Sequence, residues 1–130
     1  MAVFLGIKGH DEVLVTEANV AQALGSGSLP VFSTPALIIS MEKAALESVQ
    51  PYLDEGSSTV GVRLEADHLA ATPIGMTVRT ESELTGIDGR MLLFTIDSYA
   101  GDEHVGHCIH KRCIVDADRF MAKAEAKLGK

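Results

Sequence analysis

Residues 34–49 read Thr-Pro-Ala-Leu-Ile-Ile-Ser-Met-Glu-Lys-Ala-Ala-Leu-Glu-Ser-Val, a run with a helical period and no breaker inside it. Thr34 suits the N-cap, and Pro35 suits the first helical position, where its missing N–H costs little. At about 100° per residue, Leu37, Ile38, Met41, Ala45 and Val49 fall on one side and Ser40, Lys43, Glu47 and Gln50 on the other. Pro51 and the turn Asp54-Glu55-Gly56 end this helix, and the period then changes from about 3.6 to about 2 for most of the remaining chain.

Working outward, the period-2 region divides into four strands. In the first, Val60, Val62, Leu64, Ala66 and His68 share a face, opposed by Thr59, Arg63, Glu65 and Asp67; in the second, Ile74, Met76, Val78 and Leu84 share one. Asp88-Gly89 and Gly101-Asp102 fit tight hairpin connections, so the four are expected to run up and down as a meander. Upstream lie a short strand over residues 12–16, a weak helical stretch over Ala18–Leu24 and the loop Gly25–Ser28; downstream, Asp116–Lys130 has helical composition and is expected to pack through Phe120, Met121 and Leu128. A long apolar helix ahead of a long antiparallel sheet is buried economically if the sheet wraps it. The expected class is α+β with the hotdog architecture, another α+β sandwich being the alternative that the pattern also fits.

The chain of 130 residues suits a single domain, and 46% hydrophobic with 22% charged residues is a globular mixture. A net charge of −7 without a concentrated basic surface argues against nucleic acid, although a few local bases such as Lys111 and Arg112 suffice for a phosphate-bearing coenzyme. There is no secretory leader pattern and no apolar run of membrane-spanning length, so a cytoplasmic protein without membrane contact is expected. Cys108 and Cys113, five apart in one strand, face opposite sides of the pleat and suit two reduced thiols in a reducing compartment.

Glu42 stands on the wrong side of the helix for a solvated carboxylate, near Ile38, Leu46 and Val49. It is either a structural partner of an arginine or backbone group, or a catalytic acid, base or nucleophile. Thr34 precedes it by about two turns, and its hydroxyl at the helix start lies beside N–H groups suited to an oxyanion. His68 has inward parity, which suits either a satisfied core histidine or a general acid or base. His104, His107, Cys108, His110 and Cys113 are all metal-ligand types, but alternation splits them between two faces and no paired motif accompanies them, so no metal is expected.

Three segments together resemble the fluoroacetyl-CoA thioesterase-like hotdog family, over about 110 residues: Val31-Phe32-Ser33-Thr34 entering a helix with Met41-Glu42-Lys43-Ala44, the run from Asp67 to Gly75, and His110-Lys111-Arg112. The resemblance implies a Thr34/Glu42/His68 catalytic group, with Glu42 as nucleophile or base and the other two positioning and protonating. It implies that the Gly61 backbone meets the substrate and that Arg112 braces the acyl pocket and holds the charge of Glu42. The substrate implied is a short- or medium-chain acyl-CoA, with no cofactor beyond the coenzyme A it carries, and the assembly a homodimer or dimer of dimers. The sequence departs most around Gly25–Pro30, so the resemblance does not carry over the choice of acyl group. A non-catalytic acyl-CoA or small-ligand binding protein is the competing reading; a hydratase is disfavoured because no hydratase segment carrying its usual Asp and His pair five apart is seen.

Overall fold

The computed structural model describes residues 2–129. Its elements are β1 (Lys8–Leu14), α1 (Ala21–Leu24), α2 (Thr34–Val49), a 3-10 turn (Gln50–Tyr52), β2 (Ser57–His68), β3 (Thr77–Asp88), β4 (Met91–Ala100), β5 (Glu103–Asp116), α3 (Ala117–Glu125) and a closing 3-10 turn (Ala126–Leu128). One antiparallel sheet in the order β1-β3-β4-β5-β2 curls over α2. This is the expected α+β hotdog arrangement.

The meander holds for β3, β4 and β5, joined at Asp88↔Met91 and Ala100↔Glu103, with Gly89 (φ 59°) and Gly101 (φ 61°) supplying the left-handed backbone that each tight turn needs. It fails for β2, which crosses to the far edge and pairs with β5, leaving the place beside β3 to β1. The reason lies in residues 69–76, too long for a hairpin turn: they dock instead on the strand-like approach to α2, through Phe32 N–H to the Thr72 carbonyl and a Val31↔Pro73 bridge. The first strand also starts earlier than expected, at Lys8, because the pairing with β3 runs from Lys8↔Glu83 to Leu14↔Thr77. Helix α1 shrinks to Ala21–Leu24, since Thr16 N–H is taken by the Asn19 side chain and Val20 bridges Phe32.

The buried side of α2 carries Leu37, Met41, Ala45 and Val49, packed with Leu84, Leu92, Phe94, Ile96 and Val105 of the sheet. The cap is Ser33, not Thr34: its side chain accepts from Ala36 N–H, which makes Thr34 the first helical residue and Pro35 the second. Ser40, expected outside, is 1% exposed; its hydroxyl donates to Asp11 (2.8 Å) and approaches Thr80 (3.1 Å), itself 2.6 Å from Ser98. The core thus carries a polar track between helix and sheet. At Gly9 the helix comes so close that a Cβ would overlap the Ala44 carbonyl oxygen and lie 2.7 Å from Ser48 Cβ.

Two expected faces are corrected. A bulge between Gly61 and Arg63 makes Val62 an extra residue, so Thr59 and Gly61 point inward before it and Leu64, Ala66 and His68 after it, while Val62 is 53% exposed. In the β3 stretch, Val78 and Leu84 are buried, but Ile74 and Met76 precede the strand and are exposed. Helix α3, capped by Asp116 accepting from Arg119 N–H, buries none of its residues, so Phe120, Met121 and Leu128 do not anchor it; Lys130 lies outside the described residues. Cys108 is buried and Cys113 half-buried, both as free thiols.

Candidate active site

Thr34 and His68 come from distant parts of the chain and meet because their neighbours are tied together. The bonds from residues 31–32 to 72–73 hold the start of α2 beside the end of β2, and Leu69 N–H donates to the Val105 carbonyl. Thr34 Oγ1 then lies 2.8 Å from His68 Nδ1. His68 is half-buried, and burial lowers its pKa, which favours the neutral ring in neutral solution. Its Nε2 is buried with no hydrogen-bond partner among the described residues. Two of the N–H groups expected to be free at the helix start are not: Pro35 has none, and that of Ala36 goes to Ser33.

Glu42 projects from α2 toward the inward backbone of Gly61. A Cβ at Gly61 would lie 2.8 Å from Glu42 Oε2, so only glycine leaves the carboxylate in place. Arg112, paired across from Gly61 on β5, reaches the same point: its Nη1 is 3.6 Å from Glu42 Oε2. The guanidinium, 6% exposed, is bound elsewhere, with Nε donating to Thr59 Oγ1 (2.8 Å), Nη2 to the Thr59 carbonyl (2.9 Å) and Nη1 to His110 Nε2 (3.1 Å). Glu42 therefore has a counter-charge without a bidentate clamp, and its side chain is 42% exposed.

His110 is fixed in one tautomer by its two partners. The Arg63 carbonyl, 2.9 Å from Nδ1, can only accept, and Arg112 can only donate, so Nδ1 carries the hydrogen and Nε2 the lone pair. Burial lowers its pKa, and the adjacent Arg112 charge adds to this, outweighing the Arg63 hydrogen bond and Glu42. Sequence reasoning placed His110 in the His110-Lys111-Arg112 segment and in a possible ligand cluster without giving it a role in the site, and placed Thr59 on the outer face. The Val62 bulge is what turns Thr59 inward, and nothing in the strand's residue pattern announces it. On the outer face, His104 and His107 both reach Asp97, a grouping that simple alternation had ruled out.

The family model described as fluoroacetyl-CoA-specific thioesterase matches residues 15–118. The chain belongs to this thioesterase family. Its class is accordingly that of a thioester hydrolase. It is 33% identical over 97 residues to a fluoroacetyl-CoA thioesterase from Streptantibioticus cattleyicolor, which covers 75% of this chain and 70% of that protein. The solved structure of the fluoroacetyl-CoA thioesterase FlK superposes with a TM-score of 0.90 at 27% identity, covering 98% of both chains. A Thermus thermophilus thioesterase-superfamily protein shares the fold, with a TM-score of 0.89 at 24% identity over 96% of this chain and 93% of that one. Among the described residues, no helix of this thioesterase is long and apolar enough to cross a membrane.

Proposed function

We propose that this thioesterase hydrolyses a short- or medium-chain acyl-CoA to the free acid and coenzyme A, with Thr34, Glu42 and His68 as the catalytic group. The observation that carries the reading is the half-exposed carboxylate of Glu42, held over Gly61 with the Arg112 charge 3.6 Å away. A carboxylate clamped by both guanidinium nitrogens would be a poor nucleophile or base; this one keeps lone pairs for the thioester carbonyl or for water. By attack, the Glu42 carboxylate forms an acyl anhydride and expels the coenzyme A thiolate, and water then hydrolyses the anhydride. By base catalysis, Glu42 takes a proton from water that adds to the acyl carbon. In both routes acyl-CoA and water become acid and thiol. His68, hydrogen-bonded to Thr34 and neutral, orients the thioester and relays to the departing thiolate the proton that water gives up in either route. The chemistry requires no cofactor beyond the coenzyme A of the substrate.

Gly61 and Arg112 form the substrate-side wall of this reading. β2 is an edge of the sheet with the exposed Val62 on it, and pairing with a second copy along that edge would close the Gly61 side of the site. A homodimer is therefore the proposed assembly, with dimers of dimers open to it. Two free cysteines suit the reducing cytoplasm.

FlK has been solved, as a variant, with fluoroacetate and CoA bound; fluoroacetyl-CoA accordingly heads the panel to be tried, with acetyl-, butyryl-, phenylacetyl- and longer acyl-CoAs. Thiol release is expected from at least one, and Glu42→Gln is expected to lose about 10²–10⁴-fold of that rate. Thiol release that Glu42→Gln leaves intact would overturn the catalytic assignment. Tight acyl-CoA binding with no release at all would turn the site into a binding pocket.

A further inference from the structure

On the sheet face away from α2, three ligand-type side chains converge. His104 Nε2 lies 2.8 Å and His107 Nδ1 2.9 Å from the same oxygen, Asp97 Oδ1, and the three donor atoms all fall within 4.8 Å of one another. Residues 104 and 107 differ by an odd number and should face opposite sides of a regular strand. They share a side because the register with β4 slips between Ser98↔Gly106 and Tyr99↔His104: Val105 is an extra residue, and both Val105 and Gly106 are buried.

The surroundings carry charge of the right sign. Cross-strand neighbours place Glu81, Asp97, His107 and Asp67 in one row across β3, β4, β5 and β2, so the imidazole of His107 is flanked by Asp97 and Asp67, and Asp97 by Glu81. One cation, Arg79, is drawn off over the Tyr99 ring (5.1 Å), with its Nε 3.5 Å from Glu81. Tyr99 stacks in turn on His104, with ring centroids 5.1 Å apart, which fixes the plane of that imidazole.

We propose that Asp97, His104 and His107 form a binding site for a divalent transition metal ion such as Zn²⁺ or Ni²⁺, separate from the catalytic group. Two imidazole nitrogens and one carboxylate oxygen are the donor set such borderline ions take, and three protein ligands leave room for water. Each histidine now directs a hydrogen at Asp97; ligation needs that hydrogen on the other ring nitrogen, which a neutral imidazole reaches by tautomerisation. The ion would replace two hydrogen bonds to one oxygen by a three-point link between β4 and β5, across the bulge whose Gly106 pairs with His68.

The test is calorimetric titration of the untagged, metal-stripped protein with ZnCl₂ and NiCl₂, alongside melting curves with and without the ion. The expected result is one ion per chain and a higher melting temperature. Asp97→Asn, His104→Gln and His107→Gln should each weaken binding at least about tenfold, a loss known to follow even from removing the partner of a ligand. His10→Gln removes the one histidine paired instead with Glu12 and should change nothing. All the substituted ligands are at least partly exposed, so circular dichroism should report folded variants. No saturable binding, or binding that survives all three ligand substitutions or is lost in His10→Gln, would overturn the site.

Discussion

Arg112 directs its N–H groups at Thr59 and His110 before any of them reaches Glu42, and Gly61 supplies the space that the carboxylate occupies. A methyl group at Gly61 would push Glu42 Oε2 aside rather than disturb the core, because the glycine is exposed and the carboxylate can move. Gly61→Ala is therefore expected to fold normally and to lose about a hundredfold in kcat/KM, as expected for a reacting group misplaced by about 1 Å; a melting curve beside a thiol-release assay checks both halves. At this scale the sequence was informative where residue type alone limits chemistry. A glutamate on the apolar side of a helix is legible, and so is an inward histidine at a strand end. Thr59 and the tautomer of His110 were not, since both depend on partners from other strands.

Helix α2 positions the whole site, and its start is held by Ser33 rather than by the neighbouring Thr34. This frees the Thr34 hydroxyl for His68, so cap and candidate catalytic residue are adjacent and distinct. Ser33→Ala should lower stability by about 1 kcal/mol and shift a denaturant midpoint; a loss of activity out of proportion to it would mean that the cap also sets the Thr34–His68 distance. The extent of α2 and both tight hairpins could be read from period and turn residues. Three bulges could not. Each inserts one residue, at Val62, Thr85 and Val105, and reverses the parity of everything beyond it; those at Val62 and Val105 are why alternation counted from one end misplaced Thr59 and separated His104 from His107.

The molecule as a whole should weaken in mild acid. His68 and His110 both have pKa values lowered by burial. Above the ordinary histidine value of about 6.5 both states of the chain hold neutral rings and nothing changes. As the pH falls below it the unfolded chain takes up protons that the folded one resists, so stability is lost from about 6.5 downward until the lowered folded values are passed. The melting temperature is expected to drop between pH 7 and 5, and less steeply in His68→Gln; equal slopes would contradict the assignment. Light scattering on a sizing column should give twice the chain mass, and Val62→Asp on the β2 edge should shift it toward a single chain; an undisturbed dimer would place the contact elsewhere. The strand order was the least legible property at this scale. A crossover between β2 and β3 is decided by where residues 69–76 dock, and that depends on Val31 and Phe32, far away in sequence.

The track from Asp11 through Ser40 to Thr80 and Ser98 bears on how such a chain can diversify. Apolar side chains tolerate sliding; the Ser40 hydroxyl does not, because a displacement of one helical turn would break its bonds to Asp11 and Thr80 and leave a buried hydroxyl and carboxylate without the partner each now has in the other. Beside them Gly9 lets the backbone of α2 rest almost on β1. The helix is thus indexed to the sheet by direction as well as by fit. Core residues elsewhere along it, Leu37 and Met41 among them, can exchange size while Glu42 keeps its address, so the filling of the core and the position of that carboxylate are free to vary independently.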